Sequence, residues 1–425
     1  MMARYAEYKD SGVDWLGEIP AGWEVKRMKF LYRDVSEKNR AGAELLSVTQ
    51  SQGVVPRSWV ENRMVMPSGN LGSFKFIKEG DFAISLRSFE GGLEYCHHDG
   101  IISPAYTVLK SIRNDLFRKY YKFLFKSLSF ISEIQTSVVG IREGKNISFE
   151  ELSYSLMPLP PLPEQTAIAR FLDDKVARIE ALVGIKRRQI ELLAERKQIL
   201  IQNAVTQGLN PDAPMKDSDV DWIGTIPAHW EVKRVKHLLD ERNERSENGN
   251  EPLLMVSQVH GLVVRADFHS KSEVSATSIG NKIVHENDLV FNKLKAHLGV
   301  FFKSKIQDAG IVSPDYAVYV PSETIPDSQF FEILFRHPVY IAQFIVRATG
   351  IVEGLIRLYT SELFDIPVAV PPQNEQQEII SFCATVSINI SDLITLKQNQ
   401  ITKLTEYKTT LINAAVTGKI KVAGE

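Results

Sequence analysis

The sequence predicts a mixed α/β (α+β) fold in which two similar globular domains are separated by an antiparallel coiled coil of two long helices. Three features predict this fold class, and each occurs twice: an opening segment, a proline-rich turn and a long helical pattern. The opening segment, residues 9–29, recurs at 216–236 with 16 of 21 positions identical. Because a repeat constrains the architecture before any local assignment, the chain is predicted to be one unit duplicated, with a pseudo-two-fold internal repeat.

Bulk composition is that of an ordinary globular protein. The chain has 425 residues, 44% of them hydrophobic and 24% charged, which is enough for two or three domains. The start, MMARYAEYKD, lacks the apolar core of a signal peptide, and no stretch approaches the apolar length of a membrane span. Two cysteines, Cys96 and Cys383, favour a reducing compartment. We therefore expect a cytoplasmic protein with no membrane partner.

Each repeat is predicted to open with a globular α/β domain, at residues 1–160 in the first copy and 209–368 in the second. Runs rich in β-branched residues predict strands, and longer aromatic-rich stretches predict helices. The predicted strands cover residues 82–86, 106–109, 289–291 and 316–320, and the predicted helices cover residues 116–136 and 328–347.

A proline cluster ends each domain, at residues 157–163 and 366–372. Proline cannot continue a strand ladder, but it is tolerated in the first turn of a helix. The clusters therefore predict stiff turns that start two long helices. The first helix is predicted at 161–208, and the second, with the C-terminal tail, at 369–425.

Both long helices carry a heptad pattern. Apolar side chains recur at alternating intervals of four and three residues, which is the pattern by which one helix supercoils against another. The predicted seam consists of Leu172, Val176, Ile179, Val183, Ile190, Leu193 and Leu200 in the first helix and Ile390, Ile394, Ile401, Leu404 and Leu411 in the second.

Lengths predict the direction of pairing. A helix of about 43 residues is roughly 64 Å long, whereas a linker of about ten residues spans at most roughly 35 Å. The second domain must then start near the far end of the first helix, and the second helix must run back to pair. This predicts one domain at each end of the helix pair, with an approximate two-fold axis that matches the two-fold symmetry of duplex DNA.

Three short motifs occur in both copies, in the same order. They are Ile19-Pro20 with Trp23-Glu24, repeated as Ile226-Pro227 with Trp230-Glu231, the PLPPLPEQ turn at 158–165 with a looser copy at 370–376, and the NAVTG-like ends of both helices. Through these motifs the chain resembles a known family, the specificity subunits of Type I restriction-modification systems. The resemblance covers essentially the whole chain.

The resemblance implies that each domain is a target recognition domain for one half of a bipartite, asymmetric site in double-stranded DNA. The paired helices would set the spacer and dock two methyltransferase (M) subunits. Those partners would bind S-adenosylmethionine and methylate adenine, and restriction (R) subunits would add cleavage that depends on ATP and Mg²⁺. This chain would bind none of these cofactors and would not be catalytic by itself.

Catalytic motifs are missing from the sequence, which supports that division of labour. Residues 140–146 suggest a phosphate loop only superficially, because three residues separate the glycines and Asn follows the lysine. Residues 96–99 lack a second cluster to complete a metal site. The alternative function is a self-contained restriction nuclease or methyltransferase, which the missing motifs disfavour. A purely structural coiled-coil adaptor leaves two large domains unexplained.

The candidate DNA-binding residues are polar or basic side chains in loops of each domain. Base edges are read best by Arg, Lys, Asn and Gln, whereas phosphates accept hydrogen bonds from Ser, Thr, Lys and backbone N–H groups. These candidates are Thr49, Gln50, Ser51, Gln52, Arg57, Lys75, Arg87, Arg142, Lys145 and Asn146 in the first domain and Ser257, Gln258, His260, Arg265, Asn292, Lys293, Lys295, His297 and Arg357 in the second. The repeated tryptophans are expected to serve shared packing, since specificity residues should differ between the copies.

Overall fold

The computed structural model describes residues 3–60, 71–86, 88–139, 146–257, 260–268, 278–349 and 357–422. The chain folds into two compact units, which are described separately. The first unit comprises Met1–Arg187 and Gln398–Glu425, and the second comprises Arg188–Lys397. Each unit therefore combines one globular domain with part of each long helix.

The first unit is built mainly from short antiparallel strands. Its strands are β1 (Tyr8–Asp10), β2 (Glu18–Pro20), β3 (Glu24–Arg27), β4 (Tyr32–Asp34), β5 (Leu46–Thr49), β6 (Gly53–Pro56), β7 (Lys75–Ile77), β8 (Phe82–Ile84), β9 (Glu94–Tyr95), β10 (Gly100–Ile102), β11 (Thr107–Ser111), β12 (Val138–Val139), β13 (Asn146–Ile147) and β14 (Leu156–Leu159). Its helices are α1 (Ser88–Gly91), α2 (Arg118–Leu124), α3 (Leu128–Gln135), α4 (Phe149–Leu152) and the first part of α5 (Leu162–Gln207).

The second unit repeats this plan. Its strands are β15 (Met215–Asp217), β16 (Thr225–Pro227), β17 (Glu231–Arg234), β18 (Leu239–Glu241), β19 (Leu254–Ser257), β20 (Gly261–Val264), β21 (Lys282–Val284), β22 (Leu289–Asn292), β23 (Phe301–Lys303), β24 (Gly310–Val312), β25 (Tyr316–Pro321) and β26 (Pro367–Val370). Its helices are α6 (Gln329–Leu334), α7 (Pro338–Arg347), α8 (Thr360–Phe364) and the first part of α9 (Gln373–Val416).

The same sheets occur in both units. A four-stranded antiparallel sheet has the order β4-β11-β8-β9 in the first unit and β18-β25-β22-β23 in the second. The hairpin β5-β6 and the pair β7-β10 correspond to β19-β20 and β21-β24. The predicted mixed α/β duplication is therefore confirmed, with the four predicted strands shifted at their ends by one or two residues.

A small apolar cluster supports the β5-β6 hairpin of the first unit, and its counterpart supports β19-β20 of the second. The first cluster consists of Leu46, Val54, Ile77, Ala83, Cys96, Ile102 and Val108. Its counterpart consists of Leu254, Val284, Val290, Val312 and Val318. A larger cluster in each unit joins the four-stranded sheet, the aromatic helices and the long helices. The hairpins thus lie on a separate part of each core.

The prediction of one aromatic helix in each domain is wrong, because residues 116–136 form α2 and α3 and residues 328–347 form α6 and α7. In the first unit the second helix starts at Ser127, whose Oγ accepts a hydrogen bond from the Phe130 N–H at 3.3 Å. In the second unit Pro338 occupies the first turn of α7. A serine cap and a proline both favour a helix start, and each splits an otherwise continuous apolar pattern.

The first turn of each long helix carries a glutamate that accepts a hydrogen bond from a buried tryptophan. The indole N–H of Trp23 donates to Glu164 Oε2 at 3.0 Å, and that of Trp230 donates to Glu375 Oε2 at 3.0 Å. The two indoles are 1% and 0% exposed. The expectation that the repeated tryptophans serve packing is therefore confirmed for Trp23 and Trp230, and Trp15 and Trp222 are half-buried against the same cores.

The glutamine that follows each glutamate fixes the same junction. Gln165 is fully buried, and its Nε2 donates to the carbonyl oxygens of Asp115 and Pro160 at 3.0 and 2.8 Å. The Nε2 of Gln376, which is 1% exposed, donates to the carbonyl oxygen of Pro371 at 2.9 Å. The repeated Glu-Gln pair thus anchors each helix to its own domain.

Replacing Trp23 by Phe should destabilise the first unit by about 1–3 kcal/mol, because Glu164 then loses a partly buried hydrogen-bond donor. The matched control is Trp15→Phe. The Trp15 indole also packs on an aromatic ring, but its N–H is buried without a hydrogen-bond partner among the described residues. The stability of both variants is measured by thermal unfolding, with near-ultraviolet circular dichroism as the signal. Equal losses of stability in the two variants would contradict the assigned role of the Glu164 bond.

The long helices pair in opposite directions within each unit. In the first unit the beginning of α5 packs with the end of α9, and in the second the end of α5 packs with the beginning of α9. Lys408 Nζ lies 3.4 Å from Glu180 Oε1 in the first unit, and Lys197 Nζ lies 3.4 Å from Ser391 Oγ in the second. The predicted antiparallel pairing is confirmed.

Every residue of the predicted seam is buried or half-buried. Four are buried, namely Leu172, Ile179, Leu411 and Ile390. The half-buried members are Val176, Val183, Ile401 and Leu404 in the first unit and Ile190, Leu193, Leu200 and Ile394 in the second.

One stretch of the described chain, within α9, is long and apolar enough to cross a membrane by length and composition alone. This corrects the expectation that no stretch approaches such a length. In the second unit the same part of α9 places Ile379 and Cys383 in the core, at 0% and 3% exposure. Only 17% of the stretch is buried, so packing within the domain accounts for only part of its apolarity.

Candidate nucleic-acid interface

The first group of candidate residues lies at the tip of the β5-β6 hairpin. Thr49 pairs with Gly53 across the turn, and its Oγ1 donates to the Gly53 carbonyl oxygen at 3.0 Å and accepts from the Gln52 N–H at 3.1 Å. The Thr49 hydroxyl therefore holds the turn. Gln50, Ser51 and Gln52 are exposed and project from it.

Gly53 is required by the shape of this turn. Its φ of +76° is rarely adopted by L side chains, and an added Cβ would lie 2.5 Å from the carbonyl oxygen of Tyr95. The hairpin tip is thus held close to the edge strand of the four-stranded sheet.

Two further candidates of the first unit lie away from the tip and are engaged internally. Lys75 is half-buried, and its Nζ donates to the Tyr106 carbonyl oxygen at 2.6 Å. Arg57 follows β6, and its Nη1 lies 3.5 Å from Ser47 Oγ. Both side chains therefore contact their own domain.

The corresponding hairpin of the second unit carries different side chains. Ser257 pairs with Gly261, and its Oγ accepts from the His260 N–H at 3.2 Å. The exposed His260 ring lies 4.8 Å from the Phe268 ring, centroid to centroid. Arg265 begins the short 3-10 turn that follows β20.

A second group of candidates gathers at the end of β22. Asn292 Oδ1 accepts from the Leu294 N–H at 3.0 Å and fixes the start of the next turn. Lys293 Nζ lies 3.5 Å from Glu241 Oε1, and its carbonyl oxygen accepts from the Leu358 N–H at 3.1 Å. Because Leu358 follows Arg357 directly, that bond places Arg357 beside this turn.

Arg357 of the second unit forms an isolated antiparallel backbone bridge with Thr349. Its Nη2 lies 3.2 Å from Asp315 Oδ1. Lys295 is exposed and lies within the turn at 293–298. In the first unit Asn146 of β13 pairs with Val139 of β12, so that Asn146 occupies a position similar to that of Arg357.

Four candidates, Arg87, Arg142, Lys145 and Gln258, lie outside the described residues. For Asn146 and His297 only the backbone is described. Among the described residues no group of three or more His, Cys, Asp or Glu side chains could hold a metal ion. Cys96 is buried, with its pKa raised to about 12 by burial, and its thiol donates to the His98 carbonyl oxygen at 3.1 Å.

Sequence reasoning missed the residues that surround the first hairpin tip. A cavity of about 420 Å³ lies between the tip, α2 and the helix pair of the first unit. It is lined by Gln50 to Gly53, by Glu94, Lys122 and Lys126, and by Asp173, Glu180 and Lys408. Glu94 and Lys126 are 32 positions apart, so only the fold brings them together. No spacing rule would have found them.

Burial shifts the pKa values of two side chains in the lining of this cavity. Glu94 is fully buried, and burial raises the pKa of its carboxyl to about 6, although Lys126 opposes the shift. Burial also lowers the pKa of His97, as does the charge of Lys122. The charges that line the cavity are of both signs, so it is not a simple anion site.

Comparisons with known proteins find relatives among the specificity subunits of Type I restriction enzymes. No protein-family model matches the chain. The Type I restriction enzyme MjaVIII specificity subunit of Methanocaldococcus jannaschii is 25% identical over 425 residues, covering 95% of this chain and 94% of that protein. The Type I restriction enzyme EcoKI specificity subunit of Escherichia coli is 23% identical over 263 residues, covering 58% and 54%.

Two solved structures share the fold. The HsdS subunit from Thermoanaerobacter tengcongensis has a TM-score of 0.56 at 16% identity, covering 95% of this chain and 98% of that one. A chain from a study of complex assembly and conformational transition of the type I R-M system has a TM-score of 0.62 at 16% identity, covering 94% and 98%. Over nearly its full length, the chain is therefore similar in sequence to specificity subunits of Type I restriction enzymes and shares the fold of the HsdS subunit.

Proposed function

We propose that each unit reads one half of a bipartite, asymmetric site in double-stranded DNA. The observation that carries this proposal is the pair of matched hairpins, which share a frame but differ at the tip. Gln50, Ser51 and Gln52 face solvent in the first unit, and His260 does so in the second. Two readers of different half-sites need a common scaffold with different side chains, because bases are distinguished by the donors and acceptors presented to them.

The proposal further assigns a DNA spacer and a docking function to the long helices. Each helix exposes an apolar pair at positions that are equivalent in the two copies and lie away from the seam. Leu182 and Ile185 are 46% and 54% exposed on α5, and Leu393 and Leu396 are 43% and 50% exposed on α9. The second pair follows the first by 211 residues, which is also the offset between the two helices.

Equivalent apolar pairs on a duplicated chain fit two copies of one partner. Exposed apolar groups at repeated positions are typical of protein interfaces. We therefore infer that each pair contacts one of two M subunits, which would supply S-adenosylmethionine-dependent methylation of adenine. The R subunits, with ATP and Mg²⁺, would join the complete complex.

Base discrimination in the assembled complex tests the half-site proposal. With M subunits present, a single-base change in either half of the site should weaken a gel shift by about 5- to 150-fold. Gln50→Ala combined with Gln52→Ala should relax discrimination in the first half only, and His260→Ala in the second half only. Gln198→Ala, on an exposed face of α5, is the matched control. Binding that is unaffected by base changes in both halves of the site would refute the proposal.

The alternative of a self-contained nuclease or methyltransferase is tested with the chain alone. Incubation of the chain with DNA and either Mg²⁺ or S-adenosylmethionine should yield neither cleavage nor methylation. Turnover by the isolated chain would instead favour the alternative.

A further inference from the structure

Lys126 joins three parts of the first unit at one point. Its Nζ lies 2.7 Å from Glu94 Oε1, 2.9 Å from the Gly91 carbonyl oxygen and 3.4 Å from the Gln50 carbonyl oxygen. Lys126 itself lies in the break between α2 and α3, so its backbone is fixed by both helices. We propose that Lys126 is a positioning residue for the first hairpin and sets the base discrimination of the first half-site. The inference rests on the proposed function of that hairpin.

The partner of Lys126 is an unusual group to find in a core. The Glu94 side chain is completely buried, and its second oxygen, Oε2, has no hydrogen-bond partner among the described residues. A buried carboxylate with one unsatisfied oxygen costs stability, which Lys126 offsets only in part. Such a pair contributes less to the free energy of folding than an apolar pair of the same shape. It is therefore expected where a polar anchor serves a purpose besides stability.

The anchored backbone controls where the reading side chain lies. The Gln50 side chain packs against Gly91, since a Cβ added to Gly91 would lie 3.2 Å from Gln50 Nε2. Lys126 contacts the carbonyl oxygens of both Gln50 and Gly91. Its bonds to Glu94 and Gly91, at 2.7 and 2.9 Å, have the short length of charge-assisted hydrogen bonds, and they place the ammonium 3.4 Å from the Gln50 carbonyl oxygen. An amide that reads a base through paired hydrogen bonds needs such a fixed backbone, because a small misplacement loses the pairing.

The second unit provides an internal comparison. Glu94 pairs with Ala83 in the four-stranded sheet, and Phe302 pairs with Val290 at the corresponding place. Arg336, which follows α6 as Lys126 follows α2, lies over the Phe302 ring at 4.8 Å and is 3.1 Å from Glu332. The strand pairing is thus the same in both units, whereas the buried Glu94–Lys126 ion pair of the first unit is replaced by Phe302 and Arg336 in the second. A residue that only supported the shared fold would be expected to recur.

The test is Lys126→Met in the complex with M subunits. Discrimination between the correct base and the three wrong bases at each position of the first half should fall about tenfold, with the second half unchanged. Affinity for non-specific DNA should stay within about twofold, because Lys126 is not assigned a phosphate contact. Lys126→Arg should restore most of the discrimination, and Arg336→Met should leave the first half unaffected.

A second variant keeps the proposal testable if Lys126→Met unfolds because Glu94 is left unpaired. Lys126→Met combined with Glu94→Met removes the anchor without leaving a buried charge, and it should show the same selective loss. Unchanged discrimination in this double variant would overturn the proposal, as would an equal loss in both halves. If Gln50→Ala combined with Gln52→Ala also leaves the first half unchanged, the first hairpin is not the reader of that half-site. If only the Lys126 variants have no effect, the positioning role alone fails.

Discussion

Removal of residues 413–425 is expected to unfold the first unit and leave the second folded. The deleted segment contributes Ala415 and Val416, both fully buried, to the core of the first unit. It also carries the Val416 carbonyl oxygen, which accepts from Tyr120 Oη at 2.7 Å, and Lys419, whose Nζ donates to the Glu18 carbonyl oxygen at 2.8 Å.

The loss should be large relative to the stability of a domain. Two buried side chains and several partly buried hydrogen bonds together are worth roughly 5 kcal/mol or more, whereas whole domains are stable by about 5–15 kcal/mol. Hydrogen exchange measures the result unit by unit. Amides of β8 and β11 should exchange rapidly, while those of β22 and β25 stay protected.

Truncation after Val422 is the control, because it leaves every one of these contacts in place. Full protection of β8 and β11 in the variant that lacks residues 413–425 would show that the end of α9 is dispensable for the first unit.

Introducing charge into one exposed apolar pair is expected to release one M subunit from the complex. Leu182→Glu combined with Ile185→Glu should weaken one docking site by about 30-fold or more, since truncating interface hot spots costs about 2 kcal/mol or more. Leu393→Glu combined with Leu396→Glu should release the other copy, and the fourfold variant should release both. Native mass spectrometry counts the M subunits in each complex.

Ile199→Glu is the matched control for this prediction. Ile199 is 47% exposed on α5, but its counterpart at the 211-residue offset is Thr410, so it belongs to no repeated pair. It should keep both M subunits. Retention of two copies by the Leu182 and Ile185 variant would remove these residues from the docking surface.

Features that repeat along the chain could be predicted from the sequence. Both long helices and their seam follow from heptad spacing and from an offset that aligns Glu164-Gln165 with Glu375-Gln376. Their antiparallel pairing follows from a helix that is much longer than the linker can span. The exposed pair at 182 and 185 could also have been found, because leucine or isoleucine recurs there off the seam.

Features that depend on tertiary contact could not be predicted in this way. Apolar periodicity runs through the break at Ser127, where a single side-chain cap decides the helix start. The Lys126 anchor joins residues separated by 35 and 76 positions, which no local pattern encodes. The charge of Lys75 predicts a DNA contact. Its bond to the Tyr106 carbonyl oxygen depends instead on the register of the folded sheet.

The discontinuity of the first unit has a consequence for biosynthesis. The second unit is one continuous segment, Arg188–Lys397, whereas the first lacks Gln398–Glu425 until those residues have been synthesised. At about 5–20 residues per second, a ribosome needs on the order of tens of seconds to add the roughly 240 residues after Arg187. During that time the nascent N-terminal half exposes the surface that Leu411, Ala415 and Val416 will cover, so it is the half expected to need a chaperone in the cell.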